Sequence, residues 1–315
     1  MCEIPAVGSA PDAANSSRHR GPRLNWQYAP FFLLGHLIAL LTLVPWFFSW
    51  TGVILFILGC YVFGTLGLNV GFHRLLTHRS FGCPLWLERT LSVLGACCVQ
   101  ESPAYWVAIH RWHHHLSDTA EDPHSPREAF WWSHVGWLLT KRDDMQPVPL
   151  INRYAMDLWH DRFQRWIEAN ENWAKIVVVS WVAFFALGYG ISLLSGGNAR
   201  DATQLGASVL VWLGALRVIF VWHITWSVNS VCHLWGYRNY ETRDLSRNNV
   251  IVGFLAAGEG WHNNHHADPN SARHGHAWWE FDLAWLTIQL LEAVGLAWDV
   301  KRPSPHVQAR RLSPV

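Results

Sequence analysis

Apolar residues along this chain are gathered into long blocks, with the polar residues confined to the stretches between them. Residues 28–50 and 53–72 each run about 20 residues without an acidic or basic side chain, the length that spans a hydrocarbon core. Only Thr51-Gly52 joins them, which predicts a tight helical hairpin. Two further blocks, 176–195 and 205–228, are separated by a Gly-rich link that carries only Arg200 and Asp201. The pattern predicts an all-α polytopic membrane protein: four transmembrane helices in two hairpins, with a helical cytoplasmic cap built from residues 73–172 and 229–303.

The intervening segments fit that plan. Residues 85–98 are apolar but contain Glu88 and Arg89, which suits a helix lying at the interface. Phe130-Trp131-Trp132-Ser133-His134 reads as an interfacial aromatic anchor, and the helical apolar stripe of 281–298 is expected to pack under the candidate metal site. Residues 1–24 lack periodicity and read as a disordered tail, 25–303 as one domain and 304–315 as a C-terminal tail. The block after the N-terminal tail is too long for a signal h-region. Arg18, Arg20 and Arg23 precede the first span, and Arg74 and Arg79 follow the second. The positive-inside bias then places both termini and the cap in the cytoplasm, as for a protein of a bacterial inner membrane or its equivalent. Arg217 inside the fourth block is costly enough to be a functional candidate, paired with the third span or a headgroup.

Composition sharpens the picture. The 315 residues include 22 Trp, half are hydrophobic and only 15% are charged, as expected of a membrane protein. A net charge of +1 gives no surface for a polyanion, so nucleic acid is not an expected partner. Cys2, Cys60, Cys83, Cys97, Cys98 and Cys232 form no C-x-x-C pair and read as reduced thiols.

The candidate chemistry lies in histidine. His110-Arg111-Trp112-His113-His114 and His262-Asn263-Asn264-His265-His266 share one pattern, H-x-x-H-H. On a helix, positions i, i+3 and i+4 fall within an arc of roughly 100°, so each box aims three imidazoles at one point. His115 lies about 140° round from His110 and should be exposed. His73 and His78 form a third cluster and Asn229 with His233 a fourth, each where an apolar run ends. His36 and His223 lie within spans with no box around them and read as packed bundle histidines. A single histidine is far more often packed or solvated than a ligand, but four clusters are not explained that way. The nine positions His73, His78, His110, His113, His114, His233, His262, His265 and His266 are too many for one ion and suit two. Imidazole alone does not name the metal. Glu121-x-x-His124 and Glu259-x-x-His262 have the E-x-x-H spacing of carboxylate di-iron bundles, but Pro123 interrupts the first and the two further glutamates are missing.

The run Gly71-Phe72-His73-Arg74-Leu75-Leu76-Thr77-His78, His110-Arg111-x-His113-His114, Asp122-Pro123-His124, Ser133-His134-Val135-Gly136-Trp137, Asn229-Ser230-x-x-His233-Leu234-Trp235-Gly236 and Gly258-Glu259-Gly260-Trp261-His262-x-x-His265-His266 resembles the membrane-bound fatty acid desaturases. The likeness is to the delta-9, stearoyl-CoA desaturase-like type in its bacterial-like branch, and it covers about residues 30–303. It implies a catalytic di-iron centre of two Fe2+ ions bound by the nine histidines, with Asn229 reaching one iron through water. It implies O2 as co-substrate, reduced to water as a cis double bond is introduced into a saturated acyl chain. The acyl tunnel of the family bends at positions matching Gln100, Trp106, Thr225 and Trp226, for which ordinary core packing is the competing reading. Carboxylates that orient the imidazoles are expected, with Glu259, Asp118 and Asp122 as candidates.

No segment fits a fused cytochrome b5 domain, so a separate ferredoxin-like or cytochrome b5-like donor is expected. In the acyl-CoA branch an Arg-Asp pair precedes the first histidine of the second box. Here Ala108-Ile109 stand there, which favours an acyl lipid over acyl-CoA, although Lys141 and Arg142 are basic residues in reach of a headgroup. The alternatives are a lipid hydroxylase or other oxygenase on the same scaffold and, outside enzymes, a histidine-rich metal transporter. A transporter would place its ligands near the middle of the spans.

Overall fold

The computed structural model describes residues 23–312, which are all-helical: they contain isolated β-bridges and no strand. The expected N-terminal tail falls almost wholly outside the described residues, as do Arg18, Arg20, Cys2 and residues 313–315.

The first apolar block forms α1 (Ala29–Ala39), drawn out by a 3-10 turn to Leu43. Pro45 forces Val44 into an extended conformation and ends it. A second short turn, Pro45–Phe47, leads to Ser49, whose hydroxyl accepts the Gly52 N–H at 2.9 Å and caps the next helix. The hairpin turn therefore lies at residues 44–49. Thr51 and Gly52, expected to form the link, are instead in the first turn of α2 (Trp50–Thr77).

Helix α2, α6 (Arg162–Leu194) and α7 (Ala199–Leu234) are each long and apolar enough to cross a bilayer, whereas the first block, Ala29–Leu43, is shorter. Asn170 and Glu171, both at positive φ, kink α6 just before its apolar portion. Between α6 and α7 the chain turns on Gly196 (φ 83°) and a capping box, in which Asn198 accepts the Asp201 N–H and Asp201 accepts that of Asn198.

The remaining helices are organised around α2. Helix α3 (Leu85–Ala96) buries Leu87 and Leu91, and its backbone touches that of α2 at Gly67, where a β-carbon would collide with the main chain of Leu94 and Gly95. Helix α4 (Pro103–Leu116) starts at the Ser102 cap. Short α5 (Pro147–Tyr154) covers it and buries Leu150 and Ile151. After α7 come α8 (Val250–Leu255), α9 (His262–Ala267) and α10 (Leu283–Ala293). The α10 stripe buries Ala284, Trp285 and Ile288 in the same core as Phe72, Leu75 and Leu76. The segment after 304 docks on the cap: Val307 is buried and the Leu312 N–H donates to the Asn239 carbonyl.

Arg217 meets the third span at the Phe184 ring, whose centroid lies 6.0 Å from its guanidinium. It is fully buried, donates to the Leu213 carbonyl (2.8 Å) and the Cys97 carbonyl (3.0 Å), and lies 4.4 Å from the Phe63 ring centroid. Cys97 ends α3, so the guanidinium satisfies the negative end of that helix from inside the bundle. His36 and His223 are paired Nε2 to Nε2 at 3.0 Å, and His134 continues the chain to Ser230.

Candidate metal centre

His73 and His78 are five residues apart, a spacing that would put them about 140° apart on an α-helix. The stretch Cys60–Thr77 is instead wound as a π-helix, and the His78 N–H bonds to the His73 carbonyl at 3.2 Å. The wider turn returns residue i+5 to the face of residue i, as local π-winding does at many functional sites. On α4, the arc drawn from the sequence holds: His110, His113 and His114 face inward, while His115 is exposed against Tyr154. On α9, the two residues inside the box do the anchoring. Asn263 accepts the N–H groups of Asn239 and Tyr240 (both 2.8 Å), and Asn264 donates to Glu280 and the His274 carbonyl (both 2.8 Å). The opposite face of α9 is thereby fixed toward α4.

The nine histidines meet as two adjoining groups. His73, His78, His110, His114 and His265 bring one nitrogen each within 4.8 Å of one another, and so do His113, His233, His262 and His266. The His114 and His266 rings, 4.5 Å apart, join the groups. Within the first group, Nε2 of His265 is 3.2 Å from that of His73 and 2.9 Å from that of His114, which is 3.0 Å from that of His110. In the second, the Nε2 atoms of His233 and His262 are 3.0 Å apart.

Carboxylates hold the far side of four of these rings. Nδ1 of His73 meets Glu259 at 2.5 Å, His113 meets Asp122 at 3.0 Å, His233 meets Asp118 at 2.9 Å and His266 meets Asp244 at 2.8 Å. An Nδ1–H donated to a carboxylate leaves Nε2 as a bare lone pair. Lone pairs facing one another at 3 Å repel unless a cation lies between them. His78 and His266 each bury an Nε2 without a partner, as His262 and His265 do an Nδ1. The donor set therefore fits a metal site. Burial, reinforced by the neighbouring imidazoles, pushes His110, His114, His262 and His265 well below the usual histidine range, so they are neutral imidazoles at pH 7. Burial alone would raise the carboxylates. His113 beside Asp122, the His266 bond to Asp244, the His233 bond to Asp118 and the Arg74 charge beside Glu259 instead hold all four below the carboxylate range.

Sequence reasoning missed Asp244, which lies in a polar loop with no spacing to mark it. It also missed the buried network behind Glu259: Arg74, fully buried, donates to Glu259 and Asp282 at 2.9 Å each.

Two cavities, of about 280 and 620 Å3, share Trp106, His110, Thr225 and Asn229 in their walls. The first runs down between α2, α7 and α8 past Leu68, Tyr61 and Phe220 to Ile57. The second leads past Gln100 and Trp226 to Lys141, Arg142, Glu101 and Glu168. At their junction the Trp106 indole donates to Gln100 (3.3 Å) and the Gln100 amide to Thr225 (3.1 Å), so three of the four expected bend residues are hydrogen-bonded in series. Asn229 lies one turn before His233 on α7 and lines both cavities. Ala108 packs in the core, while Ile109 contributes an apolar wall to the larger cavity.

The sequence profile described as fatty acid desaturase matches residues 48–300. The chain is similar to the sn-1 stearoyl-lipid 9-desaturase of Synechocystis sp., 40% identical over 286 residues covering 91% of this chain and 83% of that one. It is 39% identical over 299 residues to the sn-2 palmitoyl-lipid 9-desaturase of Nostoc sp., covering 94% and 95%. It is also 39% identical over 275 residues to the icosanoyl-CoA 5-desaturase of Limnanthes douglasii, covering 87% and 72%.

Proposed function

This chain belongs to the fatty acid desaturase family and is an oxidoreductase of that kind. From that premise we propose that it introduces a cis double bond at the delta-9 position of a saturated acyl chain carried on a membrane lipid, at a centre of two ferrous ions. The carrying observation is the two adjoining histidine groups at the junction of the two cavities.

The five-histidine group holds one iron and the four-histidine group the other, with Asn229 beside the latter. When bound, the iron pair would supply the oxidation itself, in which O2, two protons, two electrons from a separate donor protein and one hydrogen atom from each of two adjacent acyl carbons yield two waters and the alkene. Everything else falls to the chain. Glu259, Asp122, Asp118 and Asp244 fix ring planes and tautomers, so that the donors are preorganised. The acyl chain enters through the larger cavity, bends at Trp106 and Thr225, and lays its methyl end in the smaller one. The bend presents one C–C bond to His110 and its neighbours. The apolar walls keep water from the oxidising site.

The larger cavity supports a lipid carrier over acyl-CoA. Its cations are Lys141 and Arg142, and Arg142 is already bonded to Asp144 (2.6 Å) and the Pro123 carbonyl (2.8 Å). With Ile109 apolar, little free positive charge remains for a phosphate-bearing headgroup. Expression in a host lacking its own desaturase, followed by mass spectrometry of lipid double bonds, tests the activity. Labelled stearoyl-CoA and glycerolipid offered together with acyl transfer blocked test the carrier: unsaturation is expected first in the glycerolipid, and its appearance first in the CoA pool would refute the lipid carrier.

In the membrane, Ala29–Leu43 joins α2, α6 and α7 as a fourth span, with the cap, active site and both termini cytoplasmic. The short hairpin turn and the flanking Arg74 and Arg79 support this. A reporter fused after Val315 is expected to be active on the cytoplasmic side, and activity only outside would contradict the four-span arrangement.

A further inference from the structure

A tenth imidazole lies against the five-histidine group, outside every histidine box. His274 is 1% exposed, and its Nε2 has no partner. Its loop is tied down on both sides. Asp282 accepts its N–H at 2.8 Å and that of Gly275 at 3.2 Å, Asn264 donates to its carbonyl at 2.8 Å, and Arg74 donates to the Ala272 carbonyl at 2.6 Å. The ring is consequently held in one place. Its Nδ1 accepts from the Arg74 guanidinium at 3.3 Å and lies 3.3 Å from Glu259 Oε2, the oxygen that receives His73, and its ring centroid lies 4.4 Å from that of His265 at an interplanar angle of 36°.

His265 is one of the rings that lack a carboxylate tether. His73, His113, His233 and His266 are each oriented by a carboxylate on Nδ1, whereas Nδ1 of His265 is buried with no partner. An imidazole without that tether is free to rotate about its side-chain bonds unless packing stops it. Among the described residues, the only ring packed on it from outside the nine is that of His274.

We propose that His274 is a positioning residue for the five-histidine metal group, fixing the His265 ring by packing against it while the Arg74 guanidinium holds the His274 ring itself in place. The proposal rests on the reading of the histidine groups as a two-metal centre. His124 has a similar place beside Asp122 in the other group, but its Nδ1 is 3.7 Å from the carboxylate and makes no bond. The assignment is therefore made for His274.

The test uses the full-length purified protein and its His274→Ala, His274→Phe and His274→Gln variants. Elemental analysis covers all first-row metals, and release to a chelator is followed in time together with the melting temperature. In His274→Ala half of the bound metal should leave about 10- to 100-fold faster, the usual cost of losing a group that orients a ligand, while the other half leaves at the wild-type rate. The Phe variant, which keeps the ring, and the Gln variant, which keeps the bond, should each restore part of the difference. Wild-type release kinetics in His274→Ala would overturn the proposal. So would equal acceleration of both halves with a lowered melting temperature, which would mark a general structural role. A wild-type protein that binds no first-row metal would overturn the two-metal reading itself.

Discussion

Replacing His265 with alanine is expected to abolish desaturation and strip metal from the five-histidine group, while the protein remains folded. His265 is the hub of that group, with its Nε2 within 3.2 Å of His73 and 2.9 Å of His114, so its loss opens the centre from one side. Changes to groups that only orient a ligand cost about 10- to 100-fold, and removing the ligand should exceed the top of that range. The control is the neighbouring surface of α4. His115 is exposed and points to Tyr154, away from both groups, so His115→Ala should change stability by no more than about 0.5 kcal/mol and leave most of the activity. Measured together by lipid product and metal content, an active His265→Ala or an inactive His115→Ala would refute the assignment of faces.

Gly67→Val should be as damaging without touching a single ligand. A β-carbon at Gly67 meets the main chain of Leu94 and Gly95, and Gly95 is in turn packed against the Phe72 ring. No flexible side chain is available to yield, so α2 and α3 must separate. Overpacking of this kind costs at least about 1–3 kcal/mol. The displaced helix leads directly into His73 and His78. Size-exclusion profiles in detergent should show loss of monodisperse protein, and any folded fraction should have lost metal. A well-folded, metal-replete Gly67→Val would mean that the α2–α3 contact is not what positions the first histidine pair.

The H-x-x-H-H boxes were legible because an α-helix converts that spacing directly into a shared face. The pair His73 and His78 was visible as a cluster, but its common face was not, since it exists only once Cys60–Thr77 winds as a π-helix. That winding accompanies a glycine-lined approach between α2 and α3. Asp244 and His274 were illegible for a similar reason: each reaches the centre through loop conformation, and no periodicity marks a loop. Asp118, Asp122 and Glu259 were nameable because they sit beside the boxes. Arg217 drew attention as a charge in an apolar block, but its partner is a helix end, which has no residue type to search for. The first apolar block looked like one long span because hydropathy does not register the stop at Pro45 or the cap at Ser49.

The most direct test of the account is anomalous diffraction at the iron absorption edge from crystals of the protein purified with its native metal. Two iron peaks are predicted, one among His73, His78, His110, His114 and His265 and one among His113, His233, His262 and His266. A single peak, peaks elsewhere in the chain, or a signal that appears at the zinc edge and not the iron edge in active protein would contradict it.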